Sequence, residues 1–265
     1  MAQWVSLMLP GYLLVLCRIT SFFVAAPVLS MRGVPMPFKV GLSLFLAFLT
    51  FFSVGTVQTA AWNEAYLLSV LKEILVGLLL GFTANLFFSA LFTSGAFVDM
   101  MIGFGIANVV DPATGMQSPL FGNFKYFLAV LVFLAMNGHH HLINAIMMSY
   151  EWVPMDPAVL ASVAAGDVSA FLLKSFAYAF ALAFQMAAPI VVAMFLVDVG
   201  LGILAKTAPQ FNVFVVGIPV KMIVGLLLII LVIPGFAMMF ERLFAAMFAS
   251  VNELLGILGR RGESG

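Results

Sequence analysis

The sequence predicts an all-α integral membrane protein of about six long, kinked helices followed by a C-terminal amphipathic helix. Three observations predict it. Eleven basic and eleven acidic side chains among 265 residues leave the chain 8% charged, where soluble proteins carry about 25%. Hydrophobic residues make up 64%, with 28 Phe, and the mean hydropathy is +1.19. A soluble fold of this size lacks the polar surface to cover such an inventory. The charges also cluster at the edges of apolar runs, each near the roughly 20 residues a helix needs to cross a bilayer.

The runs follow in order. Residues 4–29 are apolar apart from Arg18, and 40–63 lie between Lys39 and Glu64. Residues 74–98 lie between Glu73 and Asp99, and 126–150 are softened by Asn137 and His139, His140 and His141. Residues 175–197 and 222–240 complete the six. Pro189, Pro219 and Pro234 sit in or against the last two, where kinks or breaks are expected. From 240 to 258, Phe240, Leu243, Phe244, Met247, Val251, Leu254 and Leu258 recur at helical spacing, with Glu241, Arg242, Asn252 and Glu253 opposite. Such a helix lies at an interface or packs on a partner.

The first apolar stretch follows the uncharged Met1-Ala2-Gln3 without a clean cleavage site, so the first helix is expected to stay. Arg32 and Lys39 make the first loop basic, while 151–174 carries three acids against one base. By the positive-inside rule the N terminus and the C-terminal helix are expected outside.

Several functions are disfavoured. A formal net charge of zero without a basic stripe argues against nucleic acid. The single Cys17 forms no intramolecular disulfide. Adjacent imidazoles point about 100° apart on a helix, so His139, His140 and His141 cannot share one ligand shell, and no metal or cofactor is expected. No phosphate loop, nucleophile elbow or paired carboxylates support an enzyme. A small-solute transporter wants acids near helix centres and an internal repeat, and neither is visible.

Two patterns point to packing. Gly77, Gly81, Asn85, Ser89 and Thr93 recur every four residues, a spacing that lets two helix backbones meet. Arg18, Glu73, Lys125, Lys174, Asp198 and Lys221 lie in or beside apolar runs and need partners there.

The connection 99–125 is too apolar for a solvated loop. Gly103, Gly105, Gly115, Gly122, Pro112 and Pro119 break any long helix, yet Met100, Met101, Ile102, Phe104, Ile106, Val109, Val110, Met116, Leu120, Phe121 and Phe124 lie among them. Irregular backbone at membrane depth must be buried in protein or line a cavity. A packed re-entrant segment and a dry constriction built from Met and Phe both satisfy this, and composition alone does not separate them.

The runs GAFVDMMIGFGIANVVDPATGMQSPLFGNF, NGHHHLI and DVGLGILAKTAPQFNVFVVGIPVK, with RITSFFVAAPVLSMRGVP and KEILVGLLLGF upstream, resemble the flagellar biosynthetic protein FliR family over roughly residues 10–258. The resemblance implies a core subunit of the type III export gate in the bacterial inner (cytoplasmic) membrane, at the flagellar basal body, and not an enzyme. It implies one membrane-embedded domain over 1–265, assembled as helical hairpins in a larger complex. Residues 1–174 are then similar to a P-type subunit (FliP) and 175–258 to a Q-type hairpin (FliQ). The implied partners are FliP, FliQ, the FlhB switch protein, membrane lipid and unfolded flagellar export substrates. In that family the apolar segment plugs the closed pore. The matching positions are Gly103, Phe104, Gly105, Ile106, Asn108, Val109, Val110, Asp111, Pro112, Gly115, Met116, Gln117, Ser118 and Pro119, with Met100 and Met101 leading in. A homologous gate subunit of a virulence-type system, or a scaffold for the true channel subunits, are the alternatives.

Overall fold

The computed structural model describes residues 2–31, 33–54, 64–104, 119–153, 166–210 and 212–259. Those residues form α1 (Ala2–Ala25), α2 (Met36–Val54), α3 (Glu64–Ile102), α4 (Leu120–Ala135), α5 (Gly138–Trp152), α6 (Asp167–Thr207), α7 (Val213–Val232), a 3-10 turn (Ile233–Gly235) and α8 (Phe236–Gly259), with no strand among them. Five stretches are long and apolar enough to cross a membrane: Met8–Ala25, Met36–Ser53, Tyr66–Ile102, Asp167–Thr207 and Val215–Gly259. Counting the broken pair α4 and α5 as one span makes six.

α3 and α6 outrun their uncharged runs. α3 begins ahead of Lys72 and Glu73 and continues past Asp99, so these charges lie inside a helix of 39 residues. Helix formation is indifferent to a charge whose side chain finds a partner, so counting between charges misses both ends. α6 likewise starts at Asp167, an acid that suits a helix N-terminus. The 126–150 run is interrupted at Met136 and Asn137, and Asn137 adopts left-handed backbone at φ 57°. Asn tolerates that region better than other residues with a Cβ. Pro189 and Pro219 are held inside α6 and α7, whereas Pro234 falls in the 3-10 turn that separates α7 from α8.

Two compact units emerge. The first comprises Met1–Phe87, Asn137–Phe176 and Ala245–Gly265. Its core is the stripe Leu14, Val15, Ile19 and Phe22 of α1, with Val76, Leu80 and Phe87 of α3, Leu142, Ile146 and Tyr150 of α5, and Met247, Val251, Leu254 and Leu258 of α8. α2 packs on α1 and α5. On its outer side it exposes Phe38, Phe45, Phe48 and Phe52.

The second comprises Phe88–Met136 and Ala177–Phe244. Phe88, Phe133 and Phe244 form its aromatic centre, with ring centroids 5.0 to 5.6 Å apart. α8 therefore turns its apolar face into the chain itself, leaving Glu241, Arg242, Asn252 and Glu253 exposed. Most of α6 is uncovered, including Phe180, Phe184, Val192, Phe195 and Leu196.

Candidate functional site: the two ends of the 105–118 segment

The C-terminal end of α3 and the N-terminal end of α4 meet across three layers. Nearest the segment, both carboxylate oxygens of Asp99 accept the backbone N–H of Phe121, at 3.2 and 3.1 Å. Phe121 is the second residue of α4, and first-turn amides of a helix have no partner within it. Pro119, the residue before α4, makes no side-chain cap hydrogen bond. Asp99 supplies the missing cap from another helix and sets a negative charge against the positive end of α4.

One turn further along α3, Gly95 lies directly against Gly122. A Cβ on Gly95 would run into the Cα and N of Gly122, so backbone touches backbone. In the third layer the Lys125 Nζ donates to Ser94 Oγ at 2.5 Å, both side chains fully buried. The same Nζ lies 5.7 Å from the ring centre of Phe121 and 5.5 Å from that of Phe236. Among the described residues no carboxylate comes within ion-pair distance of it. On the far side of α3, Ile102 is buried against Gly225 of α7, where a Cβ would come within 2.7 Å of its Cδ1.

The end of α3 and the start of α4 are thus joined on either side of residues 105–118. Met100 is 63% exposed, while Met101, Gly103 and Phe104 are half-buried. Gly103 closes α3 at φ 98°, backbone that a side chain would strain. Gly105, Ile106, Asn108, Val109, Val110, Asp111, Pro112, Gly115 and Met116 lie outside the described residues.

The profile described as "Bacterial export proteins, family 1" matches residues 9–247. The chain belongs to this family. It is 40% identical to "Flagellar biosynthetic protein FliR" of Bacillus subtilis (strain 168), over 94% of this chain and 96% of that protein. It is 30% identical to the protein of the same name from Escherichia coli (strain K12), over 97% and 96%. It is also 31% identical to "Yop proteins translocation protein T" of Yersinia pestis, over 83% and 84%.

The first unit of this export-family chain holds a separate polar centre. Arg18 of α1 donates through Nε and Nη2 to Glu73 of α3 at 2.5 and 2.9 Å. It also donates to Ser149 Oγ and to the Val153 carbonyl, each at 2.9 Å. The Tyr150 ring faces its guanidinium at 4.0 Å, and the Tyr150 hydroxyl donates to the Val15 carbonyl. Lys72 Nζ adds a second contact to Glu73 at 3.1 Å. All three charged side chains are fully buried.

Gly77 and Gly81 sit where α3 crosses α1. A Cβ at Gly77 would meet Ser21 Oγ and the Arg18 carbonyl; one at Gly81 would come 2.8 Å from the Phe22 carbonyl. Asn85 is half-buried and Ser89 exposed. Asp198 and Lys221 pair at 2.8 Å on the second unit, and Lys174 with Glu253 at 2.8 Å on the first, both at partly exposed positions.

Gly95, Ser94, Lys72, Ser149 and Phe236 escaped the sequence reading. Gly95 is off the four-residue repeat that ends at Thr93, and it meets Gly122 of α4 where Gly77 and Gly81 meet α1. The His139 and His140 rings lie 4.3 Å apart and His141 lies against Phe248. Among the described residues no group of three or more His, Cys, Asp or Glu is placed to hold a metal.

Proposed function

We propose that this chain is a core subunit of the type III protein export gate, lining and plugging the pore through which unfolded flagellar proteins cross the inner membrane. What supports the reading is the join between α3 and α4 on either side of the apolar 105–118 segment. Asp99 caps α4, and Gly95 and Gly122 bring the two flanking helices into backbone contact. A stopper needs such a base. It also needs apolar side chains that exclude water and part without breaking ionic bonds, and Ile106, Val109, Val110 and Met116 supply them.

Membership of an export family and likeness to FliR proteins support the flagellar assignment. On this reading the chain joins FliP, FliQ and FlhB at the basal body. Residues 1–174 stand for a P-type subunit and 175–258 for a Q-type hairpin. Extensive uncovered apolar surface on α2 and α6 is in keeping with lipid and subunit neighbours. The likeness to a Yop translocation protein favours a second reading, the equivalent subunit of a virulence-type system. Which substrates accumulate when the gene is deleted separates the two.

Deleting residues 105–116 tests the plug directly. The expected result is a complex that assembles and makes the membrane leaky to small ions. Unchanged conductance and unchanged growth under ionic stress, in a correctly assembled complex, would overturn it. Cross-links from a stalled substrate to Phe104 or Met116 favour the pore role, whereas cross-links to other subunits alone favour a scaffold.

A further inference from the structure

α2 is built inside out. Its side chains Lys39, Ser43 and Thr50 recur at helical spacing and turn towards the rest of the chain, while its outer side is apolar. Lys39 is half-buried, and its Nζ donates to the Met31 carbonyl at 3.0 Å. Ser43 is buried and donates to the Lys39 carbonyl at 2.7 Å. Thr50 is wholly buried although, among the described residues, no group bonds its hydroxyl. On the other side Phe38, Leu44, Phe45, Phe48, Leu49 and Phe52 are each 41% to 63% exposed.

Water would reverse this arrangement, solvating a hydroxyl outside and driving phenylalanine in. Whatever meets the outer side of α2 is therefore no more polar than a protein interior. Acyl chains and an apolar helix of another chain both meet that condition, and the residue types separate them. Helix contacts within membranes favour small side chains, which let backbones approach, and polar ones, which bond across. Of these the outer side offers Gly41 and, in the last turn, Ser53. The rest is bulky and apolar, which suits fluid hydrocarbon. α6 differs, because Tyr178, Gln185 and Asp198 interrupt its exposed surface.

Length and charge agree with lipid. The 19 residues of α2 rise about 28 Å, against about 30 Å of bilayer hydrocarbon. Lys39 is the one charge in the helix and sits in its first turn, at headgroup level when the helix spans. Among the described residues it pairs with no carboxylate, which leaves its charge to complement lipid phosphate. We propose that the outer face of α2 is a lipid contact, lying against phospholipid acyl chains with Phe45 near mid-bilayer. It assigns lipid to α2 and holds whatever residues 105–118 do.

The test uses the full chain in its purified complex, in phospholipid vesicles, after Cys17→Ser removes the single native cysteine. Phe38→Cys, Phe45→Cys, Phe48→Cys and Phe52→Cys are introduced one at a time, and each carries a nitroxide. Collisions with oxygen, which concentrates in hydrocarbon, are compared with those of a water-soluble nickel chelate. The expected result is oxygen ahead of the chelate at 45 and 48, with the excess shrinking towards 38 and 52. Few collisions with either reagent at 45 and 48 would mean that another protein covers the face. Chelate ahead of oxygen there would mean water. Either result overturns the proposal. Should the labelled chains fail to assemble, benzoylphenylalanine in place of Phe48 is read instead. Light-driven cross-links to phospholipid support the lipid contact, and cross-links to protein alone overturn it.

Discussion

Arg18 and Glu73, on α1 and α3, are joined by two hydrogen bonds at a site closed to solvent, and the guanidinium makes two more, to Ser149 and Val153 at the end of α5. One side chain therefore ties three helices. Removing either charge breaks a buried pair, at a cost of about 3–5 kcal/mol. Arg18→Met and Glu73→Met should each lose that much in denaturant unfolding of the purified chain in mild detergent. The combined change should lose less than the sum, because neither member of the Arg18–Glu73 pair is then left behind and Lys72 alone loses its contact to Glu73. Additive losses would show that the two do not act as a pair.

Alanine substitutions at Gly95 and Gly200 should move stability in opposite directions. Alanine gains about 1 kcal/mol over glycine in a helix interior. At Gly200 nothing lies within 4 Å of the new methyl, so the gain is realised. At Gly95 the methyl meets the backbone of Gly122, which cannot rotate away. Overpacking of that kind costs about 1–3 kcal/mol. Thermal melts of the two variants read the difference, and stabilisation by Gly95→Ala would refute the close approach.

Asp99 acts as the cap of a helix to which it does not belong. Asp99→Ala should free the first-turn amides of α4, weakening that turn by about 0.5–2 kcal/mol. Hydrogen exchange at the Phe121 amide should quicken accordingly. Asp99→Asn keeps an acceptor and should exchange more slowly than the alanine variant. Equal rates in all three proteins would mean the carboxylate does not hold α4.

Asp198 and Lys221 pair where solvent still reaches, with side-chain exposures of 43% and 20%. Pairs of this kind are worth at most about 1 kcal/mol and weaken with salt. Asp198→Lys should cost about that much, and Lys221→Asp in the same chain should restore it. The restoration should shrink as salt is raised, which a plain packing effect would not do.

Much of the helical architecture is legible in the sequence because a low-charge apolar chain has few other ways to satisfy its backbone. The runs 74–98 and 175–197 lie wholly inside α3 and α6, while 126–150 and 222–240 are each broken between two helices. Their ends are not legible. Glu73 and Asp99 look like boundaries, yet α3 passes through both, because Arg18 and the α4 amides supply partners that lie far away in the chain. Gly77 and Gly81 announce a seam by their spacing, while Gly95 and Gly122 carry no periodic signal and show themselves only when two helices are in place. Lys125 stands out in the sequence as a charge in an apolar run, but its choice of Ser94 and two phenylalanines over a carboxylate depends on how α3, α4 and α8 come together.

The length of α6 has a consequence of its own. Its 41 residues reach about 60 Å. The hydrocarbon of a bilayer is about 30 Å deep, and a helix leaning at the limit of observed tilts, about 40°, still stands some 45 Å tall. A third or so of α6 therefore emerges from the oily layer whatever its lean. Yet Phe176, Phe180, Phe184, Phe195, Leu196 and Ile203 are uncovered from one end to the other. Water would not wet so long an apolar rod without penalty. Part of this helix is bespoke for protein company, and the chain on its own is an unfinished surface.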